Sequence, residues 1–153
     1  MATYLVTGAA GFIGSNVTKL LLAEGHTIVG IDNLNHAYDV RLKKWRLEQL
    51  KGCVNFEFYE EDITNREALQ RVFEVPRSES FSGVINLAAR AGVRQSVLDP
   101  WAYYETNTTA TLNLLELCRQ HGIKKFVLAS TSSIYGKDNP MPSSEEQNTN
   151  YPL

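Results

Sequence analysis

Apolar residues along this chain fall into short β-prone runs separated by stretches with helical spacing. Thr3-Tyr4-Leu5-Val6, Thr27-Ile28-Val29-Gly30-Ile31-Asp32, the alternating 54–59, Val84-Ile85-Asn86-Leu87-Ala88-Ala89 and Lys125-Phe126-Val127-Leu128-Ala129 predict five strands. A helical pattern over 16–23 follows the first run and stops at Glu24-Gly25-His26. Asp39 caps a second helix running to Leu50 and ending at Gly52. In it Val40, Leu47 and Leu50 face inward, the basic cluster of Arg41, Lys43, Lys44 and Arg46 forms the wet face or else attracts phosphates, and Trp45 is core or partly covered. Thr64-Asn65-Arg66-Glu67 fits a capping box before Ala68, Leu69, Val72 and Phe73, and Pro76 closes that helix. Asp99-Pro100 starts a long helix through Asn107, Ala110, Leu114 and Cys118 to His121-Gly122.

Strands alternating with helices predict an α/β fold, a Rossmann-type parallel sheet with flanking helices. Right-handed crossovers then place the carboxyl ends of the strands along one crevice. Gly8, Asp32, Asp62, Ala88 and Thr131 all fall at or just after such ends. Residues 1–138 are expected to form a partial domain of this Rossmann type. Residues 139–153 are polar and punctuated by proline, and read as a loop leading onward to a part that this chain lacks.

The 153 residues are 43% hydrophobic and 21% charged with net charge -2, which suits one real core. No basic excess points to nucleic acid. No apolar run reaches the roughly 20 residues of a membrane helix, and no leader pattern opens the chain. Cys53 and Cys118 lack a CxxC companion, so a buried apolar role, a reducing cytoplasm and no metal site are expected.

The most informative stretch is Thr7-Gly8-Ala9-Ala10-Gly11-Phe12-Ile13-Gly14, entered from a strand and left through a helix. Strand, glycine turn and helix in that order make a dinucleotide cradle: Gly8 for a tight turn, Gly11 for close approach of a pyrophosphate, Gly14 for close helix packing. The phosphates would meet free N–H groups at the helix start. Asp32, 24 positions beyond Gly8, suits the carboxylate that accepts from an adenosine ribose. Left free, it would repel a 2′-phosphate and favour NAD over NADP. Asn33 and Asn35 can edge the same cavity. Asp62 can accept from an adenine amino group while Ile63 covers the base. Ala88 and Ala89 permit close approach of a cofactor, and Arg90 and Arg94 on the following loop can meet anionic groups. Asn107 lies on the apolar helix face, where a buried amide needs partners. Thr131, in the run Ser130-Thr131-Ser132-Ser133, can donate to a substrate oxygen. No G-x-S-x-G elbow supports a serine hydrolase.

With Thr131-Ser132-Ser133-Ile134-Tyr135-Gly136 the chain resembles the NAD-dependent epimerase/dehydratase family of extended short-chain dehydrogenases/reductases over essentially its whole length. Within that family 32–35, 86–94 and 129–136 are most similar to UDP-glucuronate 4-epimerases. The resemblance implies that Gly8, Gly11 and Gly14, with Phe12 and Ile13 inside the same fingerprint, surround the NAD pyrophosphate, and that Asp32 binds the ribose. Asp62 and Ile63 would meet adenine, and Leu87, Ala88 and Ala89 would line the dinucleotide. Asn107 would help build the nicotinamide end. Thr131 would be the catalytic hydroxyl at the sugar 4-oxygen, with Ser132, Ser133 and Arg94 at the UDP-sugar. Asn86 departs from the histidine common at its place.

The chemistry implied is hydride removal from sugar C4, rotation of a 4-keto intermediate and hydride return to the other face. The family's base is the tyrosine of Y-x-x-x-K, which this sequence does not contain. The chain therefore looks like the amino-terminal half of a homodimeric enzyme, inactive alone, with an exposed apolar sheet edge. The alternatives are a 4,6-dehydratase, which would favour an acid pair where Ser132-Ser133 stands, a decarboxylase, or a non-catalytic NAD-binding module.

Overall fold

The computed structural model describes residues 1–150. The end of the expected terminal loop, 151–153, lies outside the described residues, and 139–150 contains turns and bends without helix or strand. Five strands, β1 (Thr3–Thr7), β2 (Thr27–Ile31), β3 (Phe56–Tyr59), β4 (Gly83–Asn86) and β5 (Phe126–Leu128), form one sheet in the order β3-β2-β1-β4-β5. Every pairing is parallel, as helical crossovers require.

The register decides where the site must be. Tyr59, Ile31, Thr7, Asn86 and Leu128 lie in one row across the last rung of the sheet. The residues after them therefore leave the sheet along one edge. The strand order reverses between β1 and β4, and a crevice opens at such a point.

Helices cover both faces. Helix α1 (Phe12–Ala23) and α2 (Val40–Glu48) lie on one side, where Leu22, Leu47 and Leu50 pack with Ala10, Phe56 and Phe58. On the other, α3 (Arg66–Glu74) turns Leu69, Val72 and Phe73 onto Leu5, Val29 and Val84. Helix α6 (Ala110–Gln120) adds Ala110, Leu114, Leu117 and Cys118 to the same core. Burial of each such Leu or Val contributes about 1.5–3 kcal/mol. By contrast α4 (Val93–Leu98) and α5 (Pro100–Tyr104) bury no residue, so local turns and hydrogen bonds hold them instead.

Several local expectations are corrected. Strand β3 starts at Phe56 because Cys53 and Phe56 donate backbone bonds to Leu50 and Cys53 in successive turns, leaving Val54 exposed. Asn65, not Thr64, caps α3, its side chain accepting from Ala68 N at 3.1 Å. Thr64 is drawn away by Asp62, whose Oδ1 accepts from both its backbone N–H and its hydroxyl. Helix α4 forms where a loop is expected. The long helix beginning at Pro100 carries a π-helical turn, Glu105–Thr109, between α5 and α6. On α2, Trp45 is 63% exposed whereas Lys43 is buried.

Both cysteines are free, and burial pushes the Cys118 thiol up to about 11, so it behaves as a small apolar side chain. Among the described residues no helix is long and apolar enough to cross a membrane, and no His/Cys/Asp/Glu group could hold a metal ion.

Candidate dinucleotide and substrate clefts

The turn after β1 is shaped by contacts that admit no side chain. Gly8 has φ +67°, and a Cβ on it would lie 2.9 Å from Ala88 N. Gly11 N donates to Gly8 O at 2.8 Å, closing the turn. A Cβ on Gly14 would collide with the Gly8 carbonyl oxygen, so α1 abuts the turn itself. No side chain caps α1 and no acidic residue stands in its first turn. Its N-terminal N–H groups are thus left without a side-chain partner, an arrangement that favours an anion. Phe12 and Ile13, at the start of α1, are 71% and 60% exposed.

Next to this turn is a cleft of about 220 Å³ lined by Gly8, Gly11, Asp32, Asn33, Asn35 and Asp62, with Ile63, Leu87, Ala88 and Ala89 also on its wall. Asp32 is held from three sides. Its Oδ2 accepts from Ala10 N at 3.2 Å, and its Oδ1 accepts from Leu34 N at 2.9 Å and from Lys43 Nζ at 3.2 Å. Lys43 also donates to Asn35 Oδ1 at 3.2 Å. The free carboxylate expected at Asp32 is therefore an ion pair, because Lys43 turns in from the helix face on which it was placed as solvated. Asn33 donates from Nδ2 to Asp62 Oδ2 at 2.7 Å. Burial pushes the Asp62 carboxyl up, but the hydrogen bonds from Thr64 and Asn33, helped by the charge of Arg90, outweigh it and hold the group below the usual carboxylate range. Ile63 is both a core residue and part of the cleft wall. Asn113 on α6 fixes that loop by donating to the Ile63 and Thr64 carbonyls.

A second cleft of about 540 Å³ continues past Ala88, Ala89 and Ala91, which line both, to Ser130 and Thr131. Asn107 reaches it exposed rather than buried. Its amide accepts from Arg90 N at 2.8 Å and donates to Arg90 O at 3.0 Å, clamping the loop that separates the clefts. The partners an amide requires are thus backbone groups supplied by the loop. The Thr131 oxygen accepts from Ser133 N at 3.2 Å at the start of a 3-10 turn, Ser132–Tyr135. That bond fixes the hydroxyl and leaves its proton free to donate. Arg94 on α4 and Ser132 on the 3-10 turn are exposed, Ser133 beside it is half-buried, and none of the three lines either cleft.

Four residues absent from the sequence-based site organise it. Thr7 ties the glycine turn to the loop after β4, donating to Asn86 Oδ1 and accepting from Leu87 N and Ala88 N. Asn86 in turn donates to Thr111 Oγ1 at 3.2 Å. Lys43 and Arg46 gather beside Asp32, Asn35 and Tyr38. Only a parallel register could have placed Thr7 beside Asn86, and a charge on α2 carries no sequence signal of facing inward.

A parallel sheet with this order, a glycine turn feeding a helix N-terminus and an acidic residue after β2 define a Rossmann-type dinucleotide-binding protein. The model of the NAD dependent epimerase/dehydratase family matches residues 4–153, so the chain belongs to that family, whose members are NAD dependent. It is 56% identical over all of its 153 residues to a UDP-glucuronate 4-epimerase of Thermodesulfobacterium geofontis, covering 46% of that protein. Among solved structures, the UDP-glucuronic acid 4-epimerase of Bacillus cereus in complex with UDP-glucuronic acid and NAD superposes with TM-score 0.81 at 35% identity, over 99% of this chain and 46% of that one. The UDP-glucose 4-epimerase of Thermus thermophilus in complex with NAD gives 0.78 at 36% identity, over 99% and 44%. The chain thus spans less than half the length of these relatives.

Proposed function

We propose that this chain is the cofactor-binding part of an NAD-dependent sugar-nucleotide 4-epimerase whose substrate is UDP-glucuronate. The observation that carries the reading is the continuity of the two clefts: the wall of Ala88, Ala89 and Ala91 runs from the glycine cradle to Thr131. A dinucleotide lying along it would bring its reactive end to the hydroxyl that faces the substrate. NAD supplies a hydride acceptor when bound.

The chain's own residues do the remaining work. Gly8, Gly11 and Gly14, with Phe12 and Ile13, shape the diphosphate cradle. Asp32, with Asn33 and Asn35, orients the adenosine ribose, while Asp62 and Ile63 border the base. Leu87, Ala88 and Ala89 keep the wall low, and Asn107 holds the loop beneath the nicotinamide end. Thr131 donates to the sugar 4-oxygen and stabilises charge as it develops there. Ser132, Ser133 and Arg94 complete the substrate side once the rest of the enzyme is present.

The chain has no Tyr-x-x-x-Lys to take the hydroxyl proton, so by itself it is expected to show no turnover. The similarity to UDP-glucuronate epimerases and the Ser132-Ser133 pair favour epimerisation over 4,6-dehydration. The exposed Trp101, Tyr104, Leu112 and Leu115 support homodimerisation of the parent protein through α5 and α6. The test is incubation of the parent enzyme with UDP-glucuronate, following the sugar by NMR. Inversion at C4, lowered about 100-fold or more by Thr131→Ala, is expected. A stable 4-keto-6-deoxy product from UDP-glucose would overturn the reading.

A further inference from the structure

Asp32 does not meet the cofactor cleft as an isolated negative charge. It is 7% exposed, and the side chains of Asp32 and Lys43 are each 6% exposed with Nζ 3.2 Å from Oδ1. Two backbone N–H groups, of Ala10 and Leu34, also point at this carboxylate. An ammonium has three donors. Lys43 gives one to Asp32 and one to Asn35, and its Nζ lies 5.2 Å from the centre of the Tyr38 ring; the third donor has no hydrogen-bond acceptor among the described residues although Lys43 lines the cleft.

A second cation stands beside the pair. Arg46 donates from Nη1 to Ala10 O at 3.3 Å and to Tyr38 OH at 2.9 Å, and its guanidinium lies over the Phe12 and Tyr38 rings. Tyr38 lines the same cleft. Asp32, Lys43 and Arg46 together carry one net positive charge. The other acids on the wall are engaged elsewhere: Asp62 by Thr64 and Asn33, and Glu61 with Arg71 at 3.9 Å. A phosphate placed here would meet an ammonium with a hydrogen-bond donor to spare and one already neutralised carboxylate, while Arg46, which packs on the Tyr38 of the cleft wall without lining the cleft itself, adds positive charge nearby.

We propose that Lys43, supported by Arg46, sets the charge selectivity of the adenosine-ribose site, so that the cleft accepts a 2′-phosphorylated dinucleotide as well as the unphosphorylated one. The inference rests on the dinucleotide reading of the cleft, and Lys43 acts as a specificity-determining residue there. Asp32 still accepts from ribose hydroxyls, but the repulsion of a 2′-phosphate that a bare carboxylate would exert is cancelled by its partner.

The test is binding of NAD and NADP to the purified chain by calorimetry at low salt, since screening weakens such contacts. The wild-type chain is expected to bind NADP within about tenfold of NAD, and Lys43→Gln to weaken NADP about tenfold relative to NAD, the loss of one charge-assisted hydrogen bond. Arg46→Gln, which leaves the buried pair intact, should move the ratio the same way by a smaller factor. Asp32→Asn should move it toward NADP. An unchanged NAD-to-NADP ratio in both Lys43→Gln and Arg46→Gln overturns the inference while leaving NAD binding in place. A wild-type chain that binds neither nucleotide overturns the dinucleotide reading itself.

Discussion

Thr7 and Asn86 sit opposite each other on the last rung of β1 and β4, and the Thr7 hydroxyl donates to Asn86 Oδ1 at 2.5 Å while accepting from Leu87 N and Ala88 N at 3.2 Å. Thr7 is fully buried and Asn86 is 2% exposed. One hydroxyl therefore joins the strand that enters the glycine turn to the loop whose alanines line both clefts. Replacing Thr7 by Val keeps the shape but leaves an amide oxygen and two N–H groups short of a partner. We expect a loss of about 2–3 kcal/mol in urea unfolding, with weaker NAD binding because the loop is released.

Gly14 tests the cradle from the other side. An added methyl group would meet the Gly8 carbonyl oxygen, which is backbone and already accepts from Gly11 N. Gly14→Ala must push α1 away from the turn and is expected to cost about 1–3 kcal/mol. NAD affinity should fall by more than stability alone explains, because the helix N-terminus moves off the phosphate position. Calorimetric titration of a variant that is still folded by circular dichroism checks this. Unchanged affinity would show that the α1 N-terminus does not hold the diphosphate.

The parts of this molecule that were legible in the sequence are those written locally. Each apolar run, the glycine turn and each strand end is set by a few consecutive residues, and the sheet forms from the five runs as expected. The sequence marks the end of β3 and, to within one residue, the ends of β2 and β5, because a strand's exit point is a local property. What stayed hidden depended on side-chain pairings that apolar periodicity does not encode. Lys43 reads as solvated until Asp32 arrives from another strand to pair with it. Asn107 reads as buried because its helix is apolar at that phase, but the π-helical turn shifts the phase and the Arg90 loop supplies its partners. Thr64 reads as a cap until Asp62 competes for it. Helix α4 buries no residue, so no apolar periodicity announced it.

The apolar surface makes a prediction about association. Trp101 and Leu112 are 72% and 58% exposed, and Val127 and Leu128 on the edge strand β5 are 57% and 50% exposed. Among the described residues β5 pairs only with β4. The chain alone is expected to self-associate as its concentration rises, measured by light scattering after size exclusion. Leu112→Glu together with Val127→Lys should shift it to a monomer without loss of helix signal. A wild-type chain that stays monomeric at high concentration would show that these surfaces do not associate in the isolated chain.

Asp62 gives the acid limit of the cleft a definite sign. Its carboxyl is held below the usual range, since the bonds from Thr64 and Asn33 outweigh the opposing effect of burial. Between the folded value and the ordinary unfolded value near about 3.9 the unfolded chain binds more protons at this site, so stability rises with pH there. The contribution is complete above about pH 4 and disappears as pH falls through the folded value. Asp62→Asn removes the titration and the charge that Thr64 N–H and hydroxyl point toward. The variant is expected to be about 1 kcal/mol less stable than wild type at neutral pH, and the two should converge once the pH has fallen below the folded value of the Asp62 carboxyl. Urea unfolding followed by Trp45 and Trp101 fluorescence across that range measures the difference. A gap that stays constant from neutral to strongly acid pH would show that the depressed carboxyl is not what stabilises this loop.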